Sequence, residues 1–73
     1  MQLSRSGHAQ IALHQINIYE RNIHIMLDCM YKKNNVKRFE KAVNGATRAA
    51  DAAKWNIEKA GLQELFGDWW AVL

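Results

Sequence analysis

Proline is absent from the chain, and cysteine occurs once, as Cys29. Because proline breaks helices, its absence over 73 residues permits long uninterrupted helices. A single thiol forms no disulfide within the chain, and the three histidines do not join Cys29 at zinc-ligand spacing. A chain this short usually needs a further source of stability, so we expect regular helix packing and self-association to supply it.

Long apolar runs are also missing. No stretch approaches the roughly 20 apolar residues that a membrane-spanning helix requires, so we expect no membrane partner. A lone cysteine is typical of a reducing compartment, which predicts a cytoplasmic protein. The net charge of +3 is compatible with acidic partners but is too small to demand nucleic acid.

The clearest pattern in the sequence is a seam of apolar residues separated alternately by three and four positions. It comprises Val36, Phe39, Val43, Ala46, Ala50, Ala53, Ile57 and Ala60. This period predicts a helix over residues 36–60 that ends at Gly61. Half of the seam is alanine, which predicts that a partner helix lies close against it.

An earlier stripe predicts a first helix over residues 5–33, capped by Ser4 or Ser6. It comprises Ala9, Ala12, Ile16, Tyr19, Ile23, Met26 and Met30, widened by Leu13 and Leu27. Asn34 and Asn35 then form a short turn, with Asn35 available to cap the second helix. Such a short connection makes the two helices antiparallel.

The C-terminal residues predict a short third helix over 62–70. Leu62, Leu65, Phe66 and Trp69 share one side of it, so Trp69 is expected to face the bundle and Trp70 to point outward. The predicted fold is therefore one all-α domain over residues 1–73. It is an antiparallel helical hairpin of two long helices plus a short C-terminal helix, and it associates into a helical bundle.

Two apolar features are not explained by this hairpin. Ile11, Ile18 and Ile25, hereafter the isoleucine row, recur at intervals of seven on the first helix, away from its main stripe. Trp55 lies opposite the seam of the second helix. The third helix or a second copy of the chain could cover the isoleucine row. The alternative is a protein-interaction surface that includes this row, Trp55 and Trp70.

The hairpin tip is basic. Its cations are Lys32, Lys33, Lys37, Arg38 and Lys41. Such a cluster can neutralise phosphates and is a candidate nucleic-acid site. Lysines near a helix C-terminus also oppose the helix dipole, so a solvated tip is the simpler interpretation.

Other polar residues do not indicate chemistry. Glu20, His24 and Asp28 form a ridge along the first helix, but one helix does not complete a metal shell, so no metal or cofactor is expected. Cys29 lacks a nearby base, because neither His14 nor His24 lies close to it around the helix. With no phosphate loop or hydrolase motif either, the chain is not expected to be an enzyme.

These observations favour a small non-enzymatic helical adaptor or regulator. We expect it to self-associate and to act by binding another protein, through occlusion or bridging. A nucleic-acid-binding regulator that uses the basic tip is the second interpretation, and a structural assembly subunit is the third.

Overall fold

A computed structural model of the chain describes residues 4–31 and 35–73. It contains the helices α1 (Arg5–Tyr31), α2 (Val36–Ala60) and α3 (Gly67–Val72). No β-strand occurs in these two ranges. The all-α class and the hairpin of two long helices are therefore confirmed.

Helix α1 begins where the sequence predicts. The Ser4 hydroxyl accepts a hydrogen bond from the backbone N–H of Gly7 at 3.0 Å, so Ser4 and not Ser6 caps the first turn. The described part of the helix ends at Tyr31. Its predicted continuation through Lys32 and Lys33 lies outside the described residues.

Helix α2 is capped at both ends by the predicted residues. The side-chain oxygen of Asn35 accepts a hydrogen bond from the backbone N–H of Arg38 at 3.0 Å. The other turn residue, Asn34, lies outside the described residues. At the far end, Gly61 adopts a left-handed conformation with φ of 65°, which residues with a Cβ rarely adopt.

The end of α2 also begins the turn into the C-terminal segment. The N–H of Gly61 donates to the carbonyl of Glu58 at 3.1 Å, and that of Leu62 donates to the carbonyl of Ile57 at 2.9 Å. These two bonds form a Schellman motif, in which apolar residues on either side of the glycine usually meet. Leu62 and Ile57 are accordingly both buried in one core.

Helices α1 and α2 are antiparallel and closely packed. His8 near the start of α1 contacts Asn56 near the end of α2, whereas Asn22 lies against Gly45. Among the residues that α2 buries, four are alanines: Ala42, Ala46, Ala49 and Ala53. Small side chains therefore set the close approach that the alanine-rich seam predicts.

The contact line on α2 is rotated from the predicted seam. Ala46, Ala53 and Ile57 are buried as expected, but the seam residue Val36 is 64% exposed. The buried residues that the seam does not include are Ala42, Ala49 and Asn56. The predicted seam is therefore wrong in part: three of its eight residues are buried, and the contact with α1 also includes the neighbouring line of Ala42, Ala49 and Asn56.

The stripe predicted for α1 is rotated in the same way. Ala12 and Ile16 are buried, but Leu13, Leu27 and Met30 are 53%, 44% and 68% exposed. Residues outside the stripe, His8 and Cys29, are buried instead. Much of the apolar stripe of α1 therefore faces away from α2.

The third helix does not have its predicted bounds. It spans Gly67–Val72, whereas the residues before it form turns and leave Leu65 73% exposed. The segment nevertheless packs on the open end of the hairpin. The core cluster there comprises Ala12, Ile16, Ala53, Ile57, Leu62 and Phe66.

Both C-terminal tryptophans rest against this core. Trp69 is partly buried, as predicted, and meets the ring of Tyr19 edge to face at 6.5 Å. Trp70 was expected to point outward, but it also packs against the cluster, with the Lys54 ammonium 5.1 Å from its ring centre. The outward assignment is wrong; it assumed one helix over 62–70, whereas turns precede a helix that begins at Gly67.

The folded chain is elongated. Its radius of gyration is 13.9 Å, against about 11 Å for a compact domain of this length. Its accessible surface is 5584 Å², against about 4600 Å² for a typical folded monomer of the same mass. The chain thus exposes roughly 1000 Å² more surface than its size requires.

Candidate interaction surfaces

The hairpin presents two different faces, which the contacts of α1 with α2 separate. On one side, which we call the apolar face, the C-terminal segment packs at the open end, through the contacts of Trp69 with Tyr19 and of Trp70 with Lys54. Helical spacing from these contacts places further residues of both helices on the same side. Towards the tip, the apolar face comprises Ile23, Leu27 and Met30 of α1 with Val36, Phe39 and Val43 of α2.

The tip half of the apolar face has no covering element in the described part of the chain. The C-terminal segment reaches Tyr19, beyond which α1 extends for about 18 Å. Leu27, Met30 and Val36 are each at least 44% exposed in this half. Met30, Val36 and Phe39 also line a shallow pocket. Apolar patches of this kind commonly mark contacts with other proteins.

The opposite side combines isoleucines with cations, and we call it the basic face. It comprises Ile11, Ile18 and Ile25 of α1 with Arg38, Lys41 and Arg48 of α2. The isoleucine row is partly buried at the edge of the α1–α2 contact rather than fully exposed. A pocket shared by Ile25, Arg38 and Lys41 shows that the two sets meet.

The predicted basic tip lies at one end of the basic face. Lys37, Arg38 and Lys41 are exposed, and Arg38 forms an ion pair with Asp28 at 3.2 Å. Arg48 follows Lys41 by seven residues and therefore extends the cationic line along α2. The other predicted tip residues, Lys32 and Lys33, lie outside the described residues.

Trp55 lies on the same side, seven residues beyond Arg48, and is 56% exposed. The ring of His8 contacts its ring at a centroid distance of 5.9 Å. The Lys59 ammonium lies 5.7 Å from its ring centre. More than half of the Trp55 surface thus remains exposed beside a cation, and its role as an interaction residue stays a prediction.

A buried polar pair supports this end of the hairpin. Asn56 donates from its amide nitrogen to the carbonyl of Ala52 at 2.8 Å, so its oxygen accepts from the Nδ1–H of His8, also at 2.8 Å. Both residues are at least 92% buried. Sequence patterns missed this pair, because neither residue type signals burial. The one available clue was the position of His8 four residues before Ala12 on the same helical side.

Within residues 4–31 and 35–73, the structure contains no metal-binding cluster and no pairing of Cys29 with a histidine. No three side chains of the metal-binding types converge in that part of the chain. Cys29 is a buried free thiol, whereas His14 and His24 are exposed. Separately, none of the described helices is both long enough and apolar enough to cross a membrane.

The fold and its surfaces thus define a small helical-hairpin protein with one apolar and one basic face. Comparisons with models of known protein families, with curated proteins and with solved structures found no match. A function for this chain is therefore inferred from its two faces.

Proposed function

We propose that this chain is a small, non-enzymatic helical adaptor that self-associates through its apolar face and binds another protein. The observation that supports this most directly is the exposed tip half of that face. Met30 and Val36 line one pocket there, and Leu27 lies about one turn before Met30 on α1; all three are exposed. A second copy would extend the core of the open end along the hairpin into a bundle.

The exposed surface of the whole chain is large enough to contain such an interface. The chain exposes roughly 1000 Å² beyond the expectation for its mass. A stable interface needs about 800 Å² from each partner. Two hairpins packed by their apolar faces would form a four-helix arrangement of the kind that small helical proteins commonly use. The basic face would remain outside, free to bind a partner as a regulator or bridge.

A reducing compartment such as the cytoplasm suits this protein. Cys29 is a buried free thiol at the tip end of α1, beside Met30 and Phe39 in one pocket. In a self-associated bundle it would behave as a small apolar residue of the core.

The experiment is a mass measurement by light scattering coupled to gel filtration at micromolar concentration. The wild-type chain should give at least twice its mass of 8.4 kDa. Leu27→Glu with Met30→Glu should give a folded monomer, because each places a carboxylate in the apolar contact. Gln10→Glu with Asn17→Glu is the matched control, since both positions are exposed and the net charge changes equally.

A wild-type monomer at all concentrations up to about 100 µM would contradict the proposal, since weaker association than this lies below about 5.5 kcal/mol. Equal effects of the two double variants would also contradict it, because charge rather than position would then govern association.

A further inference from the structure

The basic face joins an apolar ridge to a line of cations along its length. Ile11, Ile18 and Ile25 follow one line on α1 for about 21 Å, and each keeps part of its surface open. Across the helix contact, Gly45 of α2 lies against Asn22, whose side chain donates to the carbonyl of Ile18.

The cations border this ridge on its α2 side. Lys41 and Arg48 are exposed, and Arg38 and Lys41 share a pocket with Ile25. A ligand that covers the ridge must therefore offer apolar groups in one line and negative charge along a neighbouring line. An amphipathic helix rich in Asp and Glu has this arrangement, because its apolar stripe and its acidic flank lie on adjacent sides.

We infer that the basic face binds an acidic amphipathic helix of another protein. Its apolar stripe lies on the isoleucine row, and its carboxylates pair with Lys41 and Arg48, since Arg38 is already paired with Asp28. The inference names the partner of the adaptor proposed above and in that respect rests on the proposed function. The partner's helix would also cover the basic face, which the C-terminal segment of this chain leaves open.

Charge decides between this occupant and a second copy of the chain. Two basic faces brought together would bring the cations of one copy close to those of the other, and like charges in contact oppose association. The isoleucine row argues against a nucleic acid as the ligand of this face. A nucleic acid would pair with the cations but would leave the isoleucines facing charged phosphates, with no apolar partner.

The test measures binding of a fluorescein-labelled peptide by anisotropy. The probe is a designed 21-residue helix with leucine at every third and fourth position and glutamate on both flanks. Controls are the same peptide with lysine in place of glutamate, a scrambled acidic peptide, and a labelled 20-base-pair DNA duplex. The acidic helix should bind with a Kd below about 50 µM, and the lysine and scrambled peptides should not bind.

Two variants locate the site. Arg48→Glu should weaken binding about tenfold, because an attractive charge becomes repulsive. Arg5→Glu is its matched control, with the same charge change at an exposed position near the start of α1, and should leave Kd within twofold. Ile18→Ala should weaken peptide binding at least fivefold, with helix content checked by circular dichroism.

Three results would overturn the inference. They are no binding of the acidic helix at 100 µM, equal effects of Arg48→Glu and Arg5→Glu, and tight DNA binding that Ile18→Ala leaves unchanged. The self-association variant Leu27→Glu with Met30→Glu separates the two proposals. If the wild-type chain is a monomer and binds the peptide, this inference stands and the proposed self-association is wrong. If the chain self-associates but does not bind the peptide, only the proposed self-association stands.

Discussion

The buried pair of His8 and Asn56 is the polar contact on which the open end of the hairpin depends. Asn56→Ala removes the acceptor of the His8 Nδ1–H inside the helix contact. We expect a loss of about 1 to 3 kcal/mol in the free energy of unfolding, the usual cost of a buried polar group left without a partner. Urea denaturation at fixed protein concentration measures it.

Asn44→Ala is the control for this change, because Asn44 is exposed on the same helix and its loss should cost less than about 0.5 kcal/mol. Similar losses in the two variants would mean that helix α2 responds to any asparagine substitution, and that the buried hydrogen bond adds nothing.

Gly45 and Asn22 form a second contact between the helices whose stability depends on the size of one side chain. A Cβ at Gly45 would lie 2.8 Å from the side-chain oxygen of Asn22, whose amide nitrogen donates to the carbonyl of Ile18. Replacing glycine by alanine inside a helix normally adds about 0.5 to 1 kcal/mol of stability. We expect Gly45→Ala to add nothing or to destabilise, because Asn22 must move and give up its bond.

The same substitution in an Asn22→Ala background should recover the full gain of about 1 kcal/mol, since the obstacle is then absent. A double-mutant cycle measured by thermal melts gives the coupling directly. Additive effects would show that the two helices separate easily at this point.

Residues of this kind mark the limit of the sequence analysis. Asn35 and Gly61 were predictable as caps, because their roles depend on local backbone geometry. The burial of His8 and Asn56 was not, because it depends on a contact between residues 48 positions apart. A pattern along one helix contains no information on which polar side chain meets a partner across the interface.

At the scale of elements, Gly61 controls how α2 ends and where the C-terminal segment begins. Gly61→Ala places a Cβ in the left-handed region, at a cost of about 1 to 2 kcal/mol. The C-terminal segment should loosen with it, since Leu62 enters the core directly after this residue. Thermal unfolding followed by tryptophan fluorescence measures both effects.

Gly67→Ala is the matched control, because a Cβ there meets nothing within 4 Å and the residue has no positive φ. It should be neutral or add up to about 1 kcal/mol by restricting the unfolded chain. If it proved as damaging as Gly61→Ala, the left-handed position would not be the reason.

The positions of the long helices followed from the period of apolar residues, but the orientation of their faces did not. Both predicted stripes are rotated towards the apolar face, and both contain large residues such as Phe39 and Met30. Each stripe contains residues of two surfaces, namely the contact with the other helix and the exposed apolar face. The apolar pattern in the sequence does not separate these two surfaces. The burial of the small residues Ala42 and Ala49, which marks the helix contact, is therefore seen only in the structure.

At the scale of the whole molecule, the proposed bundle makes stability depend on protein concentration. Unfolding of a dimer also separates its chains, so a tenfold dilution lowers the apparent stability by about 1.4 kcal/mol. For a dimer of this size, that corresponds to a fall in Tm of about 3 to 6 °C per tenfold dilution. Melts from about 2 to 200 µM, followed by circular dichroism, would measure the slope.

The variant Leu27→Glu with Met30→Glu should melt at a lower temperature that no longer changes with concentration, because it has lost the contact between copies. The control Gln10→Glu with Asn17→Glu should retain the wild-type slope. A concentration-independent wild-type Tm would mean that two helices and the C-terminal segment stabilise the chain unaided, despite the exposed surface at Met30 and Val36. In that case the apolar face would have to be explained by a partner other than the chain itself.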